Sequence, residues 1–143
     1  MPVYNVEGVE QSDGEVFKLL PRGIYPAEII SSEFKEVTKD GSDYLGATYL
    51  SLGIKATDEA TGLAVTCNEI IMLPFPNAMD AEQIRKSVAK LKLLQVATDT
   101  TDMGDALDSD GFLHKELRVE VVQKGKETDP YGIQNKVADY IPL

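Results

Sequence analysis

The stretch Asp80 to Val96, DAEQIRKSVAKLKLLQV, is the strongest constraint on the fold, because its spacing reads as helix without competition. Ala81, Ile84, Val88, Leu91 and Leu94 recur at steps of three and four. They form one apolar stripe, with Arg85 and Lys92 on one flank and Lys86 and Lys90 on the other. Asp80 and Gln83 stand at the spacing of a capping box, in which the carboxylate accepts from the amide of residue 83 and the Gln83 side chain reaches back. Such a helix needs an apolar surface to cover. The rest of the chain supplies it as strands.

The first strand begins at Gly23, where GIYPAEIISSEF is rich in β-branched and aromatic residues and Pro26 is tolerable near a strand's start or edge. Lys39-Asp-Gly-Ser42 then signals a hairpin turn. Thr48, Leu50, Leu52, Ile54 and Ala56 alternate with Tyr49, Ser51, Gly53 and Lys55, which gives a long second strand with one buried and one wet face. A turn at 58–62 leads to a third strand, Leu63 to Leu73, closed by Pro74 and Pro76. Ile70 and Ile71 make its end apolar on both faces, so both are expected to be covered. After the helix, residues 98–111 are too polar for a core element and predict a solvated loop or a short frayed helix. Phe112 to Gln123 reads as a fourth strand with Leu117, Val119 and Val121 inward. Lys124 to Gly132 is a hairpin loop with Asp-Pro and Gly as turn chemistry, and Ile133 to Ile141 a fifth strand. Residues 1–20 have no period and predict a partly disordered arm tacked down by Phe17, Leu19 and Leu20, leaving 21–143 as one domain.

Three strands, a helix and two further strands is the chain order of the OB-fold, a mainly β, five-stranded Greek-key barrel with its helix between strands three and four. The competing architecture is a sandwich or an α+β sheet with the helix on one face.

Charge and sulfur narrow the function classes. The 14 Lys and Arg against 24 Asp and Glu give a net charge of −10, which opposes nonspecific attraction to polyanions. The charge is uneven, however: residues 98–111 hold five Asp and no base, whereas the helical segment 80–97 carries four bases against two acids. A start without a basic or apolar leader region and a single Cys67 predict the reducing cytoplasm, and no apolar run is long enough to span a membrane.

Several segments together resemble the small single-stranded-DNA-binding proteins encoded by bacteriophages. They are Gly-Ile-Tyr-Pro-Ala-Glu-Ile at 23–29, the Gly62 turn before a strand ending in Leu-Pro at 73–74, the helix, Lys-Glu-Leu-Arg-Val-Glu-Val at 115–121, and Tyr-Gly-Ile-Gln-Asn-Lys-Val-Ala-Asp-Tyr-Ile-Pro at 131–142. The resemblance covers roughly residues 16–142 and rests on pattern and order. It implies an OB-fold that coats single strands in phage DNA replication and recombination, without sequence preference, catalysis or cofactor, alongside phage or host replication proteins in the infected cell. Such proteins commonly end in an acidic tail that recruits partners, and this sequence closes instead on Ile141-Pro142-Leu143.

An OB-fold binds strands on its second and third strands and between the loops that join strands one to two and four to five. Binding requires cations for phosphates and flat side chains for bases. The first loop offers Lys35, Lys39 and Tyr44, and the second strand Tyr49 and Lys55. The last hairpin offers Lys124, Lys126 and Tyr131, with Lys136 following and Arg118 beneath. A lysine on a turn is ordinarily just solvated and a strand tyrosine ordinarily packs; it is their coincidence in both loops that singles the group out. Tyr25 and Tyr140 are assigned to packing.

Other chemistries find no constellation. His114 is the only His and Cys67 the only Cys, too few for a zinc site and poorly placed for a nucleophile. Gly125-Lys126 lacks the remainder of a phosphate-binding loop. Aligning Gly111 with the invariant glycine of a calcium loop puts Ala106 and Leu117 where carboxylates are required, so no metal is expected. No enzyme is therefore expected. The alternative from another class is an acidic interaction module that presents loop 98–111 to a basic protein or mimics nucleic acid.

Overall fold

A computed structural model describes residues 19–125 and 132–143. Five strands follow the expected chain order: β1 Gly23–Glu36, β2 Thr48–Thr57, β3 Ala64–Met72, then helix α1 Ala81–Thr98, then β4 Glu116–Lys124 and β5 Gln134–Ile141. All pairings are antiparallel, and across the sheet the order is β3-β2-β1-β4-β5. Among the described residues the protein is thus mainly β, one five-stranded sheet with one long helix.

β1 is the spine, because it is long enough to pair β4 through its first half and β2 through most of its length. At Ile30 an extra residue interrupts its register with β2, and such a bulge bends a strand. Gly53 sits opposite that bend, where a Cβ would collide with the Ser31 hydroxyl, so any larger residue there requires the Ser31 side chain to move. A second irregularity near Ala138 bends β5 against β4. The sheet consequently curls, and its outermost strands β3 and β5 come to face each other.

The expected closed barrel is corrected at that point. No backbone ladder joins β3 to β5 among the described residues. Side chains span the gap instead: the Val137 amide donates to the Glu69 carboxylate and the Lys136 ammonium donates to the Asn68 carbonyl at 3.2 Å. These two bonds satisfy one edge amide of β5 and one edge carbonyl of β3 without a ladder between the strands.

The curled sheet encloses Ile29, Leu50, Leu52, Ile54, Ile71, Leu117, Val119 and Val121. Helix α1 covers this core next to β3, β4 and β5, and its capping box forms as expected, with Asp80 Oδ1 accepting from the Gln83 amide at 2.8 Å and Gln83 Oε1 from the Asp80 amide at 2.9 Å. Leu91 and Leu94 are buried, Ile84 and Val88 half-buried, and Ala81 is exposed at the helix start. The helix ends at Asp99, whose φ of 57° is the left-handed conformation that Asp tolerates better than most residues.

Three other expectations need correction. β4 starts at Glu116, not Phe112, because 109–112 forms a 3-10 turn that drives the Phe112 ring fully into the core. The segment 98–111, expected as a solvated loop or a short frayed helix, does contain a short 3-10 helix at Thr101–Met103 but is more built than a solvated loop: Thr98 and Thr100 are buried and joined by a 2.9 Å hydroxyl contact, and the Gln95 amide holds the Gly104 carbonyl. Ile70 is not covered but stands 56% exposed, while Ile71 is buried. Of the proposed arm, Leu20 is fully buried, its backbone clasped by Asn135, and Leu19 is half-buried; the expected disorder of residues 1–18, with Phe17, lies outside the described residues. No helix among the described residues is long and apolar enough to cross a membrane.

Candidate nucleic-acid interface

Strand alternation sets which candidates share a surface. Leu50, Leu52, Ile54 and Ala56 of β2 point into the core, so Tyr49, Ser51, Gly53, Lys55 and Thr57 belong to the outer face. Directly paired residues lie on the same face of a sheet, and the register therefore fixes their outer neighbours. Tyr49 lies between Lys35 of β1 and Met72 of β3, Ser51 between Glu33 and Ile70, and Lys55 between Glu28 and Thr66.

One end of this face thus carries an aromatic ring beside an ammonium group. The Lys35 ammonium lies 3.3 Å from the Glu33 carboxylate, an exposed pair of the kind that contributes little and can be exchanged for another anion. The loop 37–47 continues from that end, pinned where the Val37 amide donates to the Ala47 carbonyl and the Gly46 amide to the Val37 carbonyl. It carries Lys39, exposed, and Tyr44, half-buried, with its backbone held by the Ser42 hydroxyl. Gly41 and Gly46 take φ of 81° and 90°, values that ordinary side chains resist, so the turn needs both glycines.

Lys55 lies six residues along β2 from Tyr49, about 20 Å away at strand rise. At that end the gap between β3 and β5 brings in further cations. Asn68 is paired with Gly53 on one side and receives Lys136 on the other, so Lys55 and Lys136 flank β3; Lys124 lies two residues beyond Val122, the partner of Lys136. Lys126 and Tyr131 lie outside the described residues. Arg118 is engaged within the chain: its guanidinium donates twice to the Pro142 carbonyl, at 2.9 and 3.1 Å, beside a depression of about 280 Å³ lined by Glu28, Lys55, Glu116 and Leu143.

Sequence reading missed the apolar part of this face. Ile70 and Ile30 are exposed where β1 and β3 border β2, and Met72 is half-buried beside Tyr49, whereas the exposed Phe34 pairs the core residue Leu50 and so belongs to the opposite face. Adjacent Ile70 and Ile71 carried the signal, since one of two successive strand residues must face away from the core.

Buried titratable groups cluster behind this face, at the β3–β5 gap. Burial, with help from Glu69 and against Lys136, pushes the Cys67 thiol up to about 11. Burial, then Glu69 and Cys67, raises the Tyr140 phenol well above its ordinary range, and its hydroxyl has no hydrogen-bond partner among the described residues. Both are poor nucleophiles at neutral pH. Tyr25 is also raised, by desolvation and then by Asp58, and its hydroxyl donates to the Pro21 carbonyl at 2.6 Å, in keeping with packing. Among the described residues no group of three His, Cys, Asp or Glu side chains could hold a metal ion.

What this surface can do chemically is bind an elongated anion with flat or apolar parts. Aliphatic side chains lie along its middle, ammonium groups at both ends, and the Tyr49 ring beside the ammonium group at one of them. No protein-family model, curated protein or solved structure matches the chain.

Proposed function

We propose that the protein binds single-stranded DNA without sequence preference, along the outer face of β1, β2 and β3, and that it does so as an OB-fold whose barrel is shut by side chains. The observation that carries this reading is the row Lys35, Tyr49, Met72, continued by exposed Ile70 and ending at Lys55 and Lys136. Phosphates need the ammonium groups and unpaired bases need the ring and the apolar surface, which together hold a single strand. The OB-fold part is supported by β1 pairing both β2 and β4 and by β5 lying beside β3. Protection of single strands during phage replication or recombination, in the cytoplasm of the host and beside replication proteins, is the role such binding serves.

Anisotropy of labelled homopyrimidine oligonucleotides at low salt, with a duplex of equal length as control, tests the reading. Binding of single strands with much weaker duplex binding is expected, because paired bases present no free faces. No anisotropy change at any length would end it. The net charge and the five exposed Asp of 99–110 favour the second reading, an acidic module for a basic protein, which that negative result would leave standing.

A further inference from the structure

Helix α1 is apolar on two sides. Its inner stripe fills the core, but Ala89, Leu93 and Val96, spaced four and three apart, form a second line along the solvent side, with Leu93 40% and Val96 51% exposed. Lys86 and Lys90 border this line on one side and Arg85 and Lys92 on the other. Glu82 pairs Arg85 and Lys86 at the helix start, whereas Lys90 and Lys92 form no ion pair among the described residues. In a chain of net charge −10 this face is cationic and greasy at once. It carries no aromatic ring, so it offers bases nothing to stack on, and its chemistry fits an acidic polypeptide.

A surface of that chemistry is present in the same chain. Residues 99–110 carry Asp99, Asp102, Asp105, Asp108 and Asp110, all exposed, with half-buried Met103 and Leu107 among them. The segment is pre-shaped, since the Gln95 amide holds the Gly104 carbonyl at 2.9 Å and Asp108 accepts from the Asp110 amide at 3.0 Å. Within one molecule the two surfaces make no ion pair. They are different patches, so a contact between them is heterologous, and such contacts that do not close build open rows.

We infer that the outer face of α1, through Lys90, Lys92, Leu93 and Val96, docks the acidic 99–110 segment of a second copy of this chain, head to tail. The contact goes beyond strand binding and does not require it. Where the protein coats a strand as proposed above, copies held side by side at high effective concentration would bind cooperatively through it.

Sedimentation velocity of the full chain without nucleic acid is the test, at an ionic strength that screens the net repulsion beyond about 10 Å. The sedimentation coefficient should rise with concentration. The pair Lys90→Glu with Lys92→Glu, and separately the pair Asp102→Lys with Asp105→Lys, should each stay monomeric, and an equimolar mixture of the two variants should associate again. All four positions are exposed, and unchanged thermal melts verify that the variants fold. A wild-type protein monomeric at every concentration, reversed variants that associate normally, or a mixture that stays monomeric would each overturn the contact. Loss of oligonucleotide affinity in the Lys90, Lys92 variant with a monomeric wild type would overturn it in favour of nucleic acid on the helix. Strand binding is measured separately, so it can fail while the contact holds, and the reverse.

Discussion

Tyr49 is the residue on which strand binding is most cleanly tested, because its ring lies on the outer face between Lys35 and Met72 while its neighbours Leu50 and Leu52 hold β2 in the core. Tyr49→Ala should weaken single-strand affinity by about 1–3 kcal/mol, read by anisotropy, with little change in melting temperature. Unchanged affinity would remove Tyr49 from the interface. Cys67 gives a second prediction, on pH. The fold raises the thiol to about 11, above the roughly 8.5 of a free thiol. A raised value means that the native state holds the proton more tightly. Its stabilising contribution is then complete below about pH 8.5 and disappears as pH climbs towards 11. Denaturant midpoints should therefore fall across that window, and fall less in Cys67→Ala relative to its own neutral value; identical slopes would assign the loss to Tyr140 and other groups. The buried state of Cys67 was legible from its place in the β3 alternation. The turning of Arg118 to Pro142 was not, since its partner is 24 positions away and no local pattern encodes that.

At the scale of elements, the helix was the most legible part, because capping and apolar spacing act within one or two turns of chain. Asp80→Ala should cost about 1 kcal/mol of stability, since it leaves the Gln83 amide without its acceptor. The 3-10 turns, by contrast, hid in a polar run: what orders 98–112 is burial of Thr98, Thr100 and Phe112 plus the reach of Gln95, none of which has a period. The seam between β3 and β5 was likewise invisible, because it joins residues 68 positions apart through side chains. Its importance can be measured. In Glu69→Ala the buried Val137 amide loses its acceptor, a change expected to cost about 1–3 kcal/mol. Cys67 lies two residues from Glu69 on the same inward side of β3, so its labelling by a thiol reagent should accelerate more than the global loss of stability accounts for. Labelling that tracks global stability alone would mean that the seam does not open by itself.

For the molecule as a whole, the question is how a chain of net charge −10 holds another anion. The answer offered by the structure is separation: the five Asp of 99–110 lie past the end of α1, whereas Lys35, Lys39, Lys55, Lys124 and Lys136 belong to the outer sheet face and its adjoining loop and rim. That much followed from the uneven charge of the sequence, but which lysines share a side depended on the curl that Ile30, Gly53 and Ala138 impose. Two electrostatic effects then compete. Lysines that meet phosphates release counterions, giving a slope of about −0.7 per contact in log affinity against log salt for single strands. Long-range repulsion from the acidic segment works against this, because salt screens it and so favours binding. The observed slope should be negative but shallower than five full contacts would give. Replacing Asp102 and Asp105 by Asn should raise affinity for an oligonucleotide too short to hold two copies, most at low salt, and the gain should vanish as salt rises. The slope should steepen at the same time, since the opposing effect has been weakened at constant lysine contacts. Affinity that increases with salt throughout would show repulsion to be in command and the lysine face to be unused.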